Sequence, residues 1–171
     1  MPNLPCLGAT LLVIVALTAC SPDYNWRQMQ NNDAAFTALF PAKPASHAQD
    51  VNLDGIRTSM SMTAAEVNGV LFAVGSAELT HPALVQPALN AMKTAMVRNI
   101  GGAIASDKTV PGPTPFNEVV ADGSRNGRPV RLTARFAARN QRVYQAVVIG
   151  APQDVPAEVV ETFFASFKPG G

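Results

Sequence analysis

Two dipeptides, Asp54-Gly55 and Asn68-Gly69, constrain the fold more than any other feature of this sequence. Both pairs favour tight hairpin turns, because their backbones tolerate positive φ. Residues 56–67, which lie between them, alternate in character. The side chains on the more apolar face are Ile56, Thr58, Met60, Met62 and Ala64. This period of two predicts a strand with one buried face, in an antiparallel meander that ends with residues 70–79.

The period changes after Pro82. Apolar side chains recur at three- and four-residue steps through residues 82–100, which predicts an amphipathic helix that ends at Gly101-Gly102. Residues 116–121, 130–138 and 143–149 have strand character and predict a second meander. A final helix follows, and three phenylalanines give it an apolar face: Phe163, Phe164 and Phe167.

The order of these elements predicts the fold class. A short strand at residues 36–41 precedes the first meander, and residues 105–115, which include three prolines, are interpreted as a loop. Hairpin-linked strands are antiparallel, and helices must cover a sheet face. We therefore expect an α+β domain over residues 36–171, with an antiparallel sheet of about six strands and both helices packed on one face.

The N-terminal segment predicts the location of the protein. Residues 7–19 form an uncharged apolar run that is too short for a typical membrane span and is typical of a secretory signal peptide. The run ends in Leu17-Thr18-Ala19-Cys20, which resembles the lipobox of bacterial lipoproteins. The resemblance implies a signal peptide at 1–19, acyl chains on Cys20, a tether at 20–35 and, with Ser21 next, the outer membrane. The alternative is a buried N-terminal helix with a free Cys20.

A second resemblance concerns the domain. "FPAKP" at residues 40–44, followed by two hairpins, a helix, a meander and a terminal helix, resembles the PsbP/DcrB-like α/β modules of envelope lipoproteins and photosystem accessory proteins. The resemblance implies an accessory or binding role. It brings no catalytic motif, so it assigns a role to no residue of the domain.

Few residues suggest enzymatic or metal chemistry. His47 and His81 are the two histidines, and neither has a Cys or Glu at the spacing of a zinc site. Met60 and Met62, and likewise Met92 and Met96, are spaced as copper(I) ligands could be, but all four lie on faces assigned to the core, where methionine fills space. We therefore expect no metal and no cofactor. A small hydrolase using His81 remains the alternative to a binding protein.

Arginines dominate the second meander. Six of the 13 basic residues lie between residues 125 and 142, and Arg131, Arg135 and Arg139 share one parity. On a regular strand these three, here called the arginine stripe, lie on one face about 13 Å apart. That spacing suits an extended acidic envelope protein or lipid headgroups. Changing all three to Gln should then weaken partner recovery and leave the melting temperature nearly unchanged. The other interpretation is a solvated face.

These observations predict a function. The net charge of +1 gives no global field to attract nucleic acid. We expect an outer-membrane-anchored periplasmic lipoprotein that contributes a non-enzymatic binding or accessory role to an envelope complex, with the arginine stripe as its partner-binding surface.

Overall fold

The computed structural model describes residues 24–170, so the predicted signal peptide and Cys20 lie outside the described residues. Two 3-10 turns, Pro82–Leu84 and Pro152–Asp154, precede the helices. The helices are α1 (Val85–Asn99) and α2 (Ala157–Ser166). The strands are β1 (Arg27–Asn31), β2 (Phe36–Phe40), β3 (Ala45–Leu53), β4 (Ile56–Val67), β5 (Val70–Glu78), β6 (Ala103–Val110), β7 (Phe116–Arg125), β8 (Arg128–Arg139), β9 (Arg142–Gly150) and β10 (Lys168–Pro169).

The strands of the described chain form two antiparallel sheets. Seven of them lie in the order β3-β4-β5-β9-β8-β7-β6, and β1-β2-β10 form a smaller sheet. Asp54 and Asn68 have φ of 53° and 52°, and the glycines that follow them are also left-handed. Both predicted hairpin turns are therefore confirmed. The same left-handed pair recurs at Asn126-Gly127, between β7 and β8.

The large sheet is covered on both faces. Under α1 lie Val143 and Val147 of β9, in one cluster with Met92 of the helix. On the other face, Tyr144 and Val148 pack with α2 and the small sheet. The central strand β9 is therefore buried on both sides.

Two expectations about the sheet are wrong. The main sheet has seven strands rather than about six, because β6 forms in part where residues 105–115 were interpreted as a loop. The helices lie on opposite faces rather than on one. The physical reason is that β9 carries apolar side chains at even and odd positions, so both of its faces must be covered.

The expected boundary at residue 36 is also wrong. Residues 24–35 were assigned to a tether, but β1 pairs along its whole length with β2. Tyr24 and Trp26 pack at the edge of the cluster that contains Phe36. The folded domain therefore includes this segment.

The methionines lie in the core, as the sequence predicts. Met60 and Met92 are 5% and 1% exposed in the α1 cluster, and Met62 and Met96 pack against it. They fill apolar space between the helix and the sheet. Within residues 24–170, no helix is both long enough and apolar enough to cross a bilayer.

Candidate functional site

The arginine stripe lies on the face of β8 that points toward α2. The even-numbered neighbours Leu132, Ala134 and Phe136 are buried under α1 on the opposite face, so the shared parity of Arg131, Arg135 and Arg139 places all three on one side. Their environments nevertheless differ from one another along the strand.

Arg131 binds a carboxylate of the neighbouring strand. Its Nε lies 2.7 Å from Asp122 Oδ1 and its Nη2 lies 3.0 Å from Oδ2, which makes a bidentate ion pair between β8 and β7. The hydrogen bond lowers the pKa of the Asp122 carboxyl and raises the pKa of Arg131. Both side chains are about half exposed, at 48% and 49%, so this pair is a surface feature of the sheet.

Arg135 is paired in a more protected place. Its Nε donates to Glu118 Oε2 at 2.8 Å, and Lys108 Nζ lies 2.8 Å from Glu118 Oε1. Glu118 is only 13% exposed. Burial acts to raise the pKa of Glu118, but the hydrogen bonds from Lys108 and Arg135 outweigh it and the pKa is lowered. The carboxylate is therefore held in its charged form between two cations.

Aromatic rings enclose the Arg135 guanidinium. Its central carbon lies 4.5 Å from the ring centroid of Phe116 and 4.7 Å from that of Phe164. Both distances are within the range of cation–π attraction. Arg135 therefore ties β7, β8 and α2 together, and it is a structural residue rather than part of a solvated face.

Arg139 differs from the other two arginines. Its Nη1 donates to the carbonyl oxygen of Pro169 at 3.3 Å, and no carboxylate of residues 24–170 lies within ion-pair distance of it. Lys168, on β10 of the smaller sheet, likewise has no acidic partner in this part of the chain. Within residues 24–170, the structure thus brings two arginines of the stripe into ion pairs and leaves the third without one.

A groove of about 470 Å³ lies beside Arg139. Ala137, 3% exposed, contributes a small side chain between the flanking arginines. We call this cavity the Arg139 groove. Its lining consists of Pro113, Thr114, Phe116, Arg135, Ala137, Arg139, Phe164, Phe167, Lys168 and Pro169. It combines predominantly apolar walls with three cations, of which Arg135 is already paired.

The buried Tyr144 holds the C-terminal wall of the groove. Its hydroxyl lies 2.9 Å from the carbonyl oxygen of Ala35 and 2.8 Å from that of Gly170, and it donates its one proton to either. The Gly170 N–H also donates to the Ala35 oxygen. Burial raises the pKa of Tyr144, so the hydroxyl remains a donor at neutral pH. These bonds fix the end of β10, which carries Lys168.

The histidines lie away from this groove. His81 is exposed at the entry to the turn before α1, and its side chain makes no hydrogen bond within residues 24–170. His47 is exposed on the edge strand β3. Among the described residues, no three His, Cys, Asp or Glu side chains are arranged to hold a metal ion.

Sequence reasoning missed three charged residues of this region: Glu118, Asp122 and Lys168. Glu78 of β5 pairs with Arg142 and not with a residue of the stripe. The turn at Asn126-Gly127 was the signal that could have found the first two. In a hairpin with this two-residue turn, residues at equal distances before and after the turn lie opposite each other. This register places Asp122 opposite Arg131 and Glu118 opposite Arg135, as observed.

Comparison with known proteins identifies the fold. No family model and no curated sequence matches the chain. The solution structure of cyanobacterial PsbP (CyanoP) from Synechocystis sp. PCC 6803 is similar, with a TM-score of 0.53 and 11% sequence identity. The match covers 95% of this chain and 98% of that one. At such low identity the likeness concerns the backbone alone: the chain has a PsbP-like fold of mixed α and β structure.

Proposed function

We propose that this chain is a lipoprotein of the bacterial envelope, anchored in the outer membrane through Cys20, with a domain that binds a partner in the periplasm and catalyses no reaction. The anchor rests on the sequence, where Leu17-Thr18-Ala19-Cys20 ends an uncharged apolar run. Several acyl chains on one residue give stable membrane attachment.

The Arg139 groove is the observation that supports binding. Two cations, Arg139 and Lys168, have no acidic partner within residues 24–170, and they lie beside apolar walls. Arginine binds carboxylate and phosphate in a forked geometry. An acidic envelope protein or a lipid headgroup would supply the missing negative charge.

The alternative, a small hydrolase using His81, has no structural observation in its favour. A catalytic histidine needs a nucleophile and an orienting carboxylate within hydrogen-bond reach. The exposed His81 side chain has no hydrogen-bond partner of either kind within residues 24–170.

Mass spectrometry of the native N-terminal peptide tests the anchor. We expect an acylated Cys20 at the mature N-terminus, and Cys20→Ala should release the domain from the membrane fraction. An uncleaved chain with an unmodified Cys20 would refute the anchor, whatever the domain binds.

A pull-down from solubilised envelope tests the binding role. The double variant Arg139→Gln, Lys168→Gln should recover less partner than wild type, and added salt should weaken wild-type recovery in the same way. Arg128→Gln is the matched control, because Arg128 is an exposed arginine of β8 outside the groove. Normal recovery by the double variant at low salt would contradict this assignment.

A further inference from the structure

We propose that the Arg139 groove binds an amphipathic carboxylate, an acid group that carries an apolar chain, with the carboxylate at Arg139 and Lys168 and the chain against the phenylalanines. This inference rests on the proposed binding function and names the chemistry of its ligand. The acid group and its apolar chain could belong to a free fatty acid or to an anionic membrane lipid, in which a phosphate takes the place of the carboxylate.

The charges around the groove favour a single negative group. Glu118 pairs with both Arg135 and Lys108. These three residues together therefore retain a net positive charge. Arg139 and Lys168 add two more cations near the rim. Arg135 uses only its Nε for hydrogen bonding within residues 24–170, which leaves its terminal N–H groups as further donors.

The walls favour an apolar chain on that group. Phe116, Phe164 and Phe167 line the groove together with two prolines. A volume of about 470 Å³ is typical of small-molecule sites. The small side chain of Ala137 lines the groove at a position where a larger side chain on β8 would fill part of its volume.

Neither half of such a ligand fits alone. A small inorganic anion would leave the aromatic walls in contact with water. A neutral apolar molecule would cover cations without pairing them, which is unfavourable because buried charge requires a partner. A carboxylate joined to an apolar chain satisfies both parts of the groove at once.

The test is calorimetric titration of the full chain carrying Cys20→Ala, which has no acyl chains of its own, with hexanoate, heptanoate and octanoate. Each added methylene should tighten binding about fourfold, the factor that corresponds to about 0.8 kcal/mol per buried methylene. Octanol and octylammonium serve as neutral and cationic probes of equal chain length, and both should bind at least tenfold more weakly than octanoate.

Variants separate the groove from unspecific uptake. Arg139→Gln and Lys168→Gln should each weaken octanoate binding about tenfold, the effect of losing a charge-assisted hydrogen bond, and Arg128→Gln should leave it unchanged. Thermal melts confirm that each variant is folded. Equal binding of octanol and octanoate, or no effect of either groove variant, would overturn the inference.

A vesicle arm distinguishes the two sources. The same chain is mixed with phosphatidylcholine vesicles with and without phosphatidylglycerol. Octanoate binding without a preference for anionic vesicles identifies the ligand as a free acid. Octanoate binding together with a preference for anionic vesicles identifies it as a membrane lipid. Anionic-vesicle binding that depends on Arg139, without octanoate binding, would overturn the acyl-chain groove and leave the proposed function with lipid headgroups. If octanoate binds but the double variant Arg139→Gln, Lys168→Gln recovers its envelope partners normally, the proposed partner binding is refuted and the inference about the groove ligand is retained.

Discussion

Arg135 and Arg131 offer a direct comparison, because they lie on one face of one strand and each pairs with a carboxylate of β7. Arg135 is 17% exposed and lies between two phenylalanine rings, whereas Arg131 is 49% exposed. We predict that Arg135→Met destabilises the domain and that Arg131→Met does not. Methionine retains an apolar stem in both cases, so the comparison isolates the guanidinium group.

The size of the loss follows from the contacts of Arg135. Two cation–π contacts in a partly desolvated place contribute about 1–2 kcal/mol each, and the hydrogen bond to Glu118 about 1 kcal/mol after allowance for the remaining solvent. Sulfur–aromatic contacts of the new methionine offset about 1 kcal/mol. The net loss in the free energy of unfolding is about 2–4 kcal/mol, which lowers the melting temperature by about 4–16 °C.

The assay is thermal and urea unfolding of the full chain, followed by circular dichroism, with wild type and the two single variants measured together. A cycle with Glu118→Gln then measures how much of the loss comes from the ion pair. If Arg135→Met and Arg131→Met leave the unfolding midpoint equally unchanged, the enclosed guanidinium is not a structural element, and the solvated-face interpretation returns for the whole stripe.

Three further outcomes are expected. The folded pKa of Glu118 is lowered from its usual value near 4.5, so its contribution to stability is complete at neutral pH and is lost as the pH falls through the folded value. Lowering the pH below about 4.5 should therefore cost wild type more stability than it costs Glu118→Gln. Met92→Ala, at a residue 1% exposed, should cost about 2–5 kcal/mol in urea unfolding, and Met96→Ala clearly less because Met96 is half-buried; equal losses would contradict the packing described. Tyr144→Phe should cost about 1–2 kcal/mol and increase amide exchange at Gly170, and unchanged exchange there would show that the hydroxyl does not hold β10.

The sequence predicts the local structure well where the pattern has one period. The turns at Asp54-Gly55 and Asn68-Gly69 and the apolar stripe of α1 follow from local chemistry alone. The assignment of both helices to one sheet face failed, because a fully apolar strand such as β9 does not indicate which helix covers which side. The edge strands β3 and β6 are largely exposed and polar, so they lack the alternation that identifies strands.

The candidate site was only partly predictable for a related reason. Strand parity placed the three arginines on one face, but it carries no information about what packs on that face. Phe164 approaches Arg135 from a helix that begins beyond β9 in the sequence, and Lys168 comes from the short strand after that helix. The enclosed Arg135 leads us to predict a loss of stability where the sequence predicts none, and the proposal that the stripe binds a partner now depends on Arg139.

The position of Arg139 explains why no carboxylate of residues 24–170 pairs with it. Strand β8 continues past the start of β7, where Phe116 pairs with Ala137, so no residue of β7 lies opposite Arg139. On its other side Arg139 pairs with Arg142 of β9, and directly opposed like charges are destabilising. Arg142 is held by Glu78 and by the carbonyl oxygen of Asp33, and that arrangement offers Arg139 no carboxylate. Arg139 therefore lies beside another cation and beside an apolar groove. This arrangement lowers the stability of the free domain and favours binding of an anion, as expected of a ligand site rather than of a solvated surface.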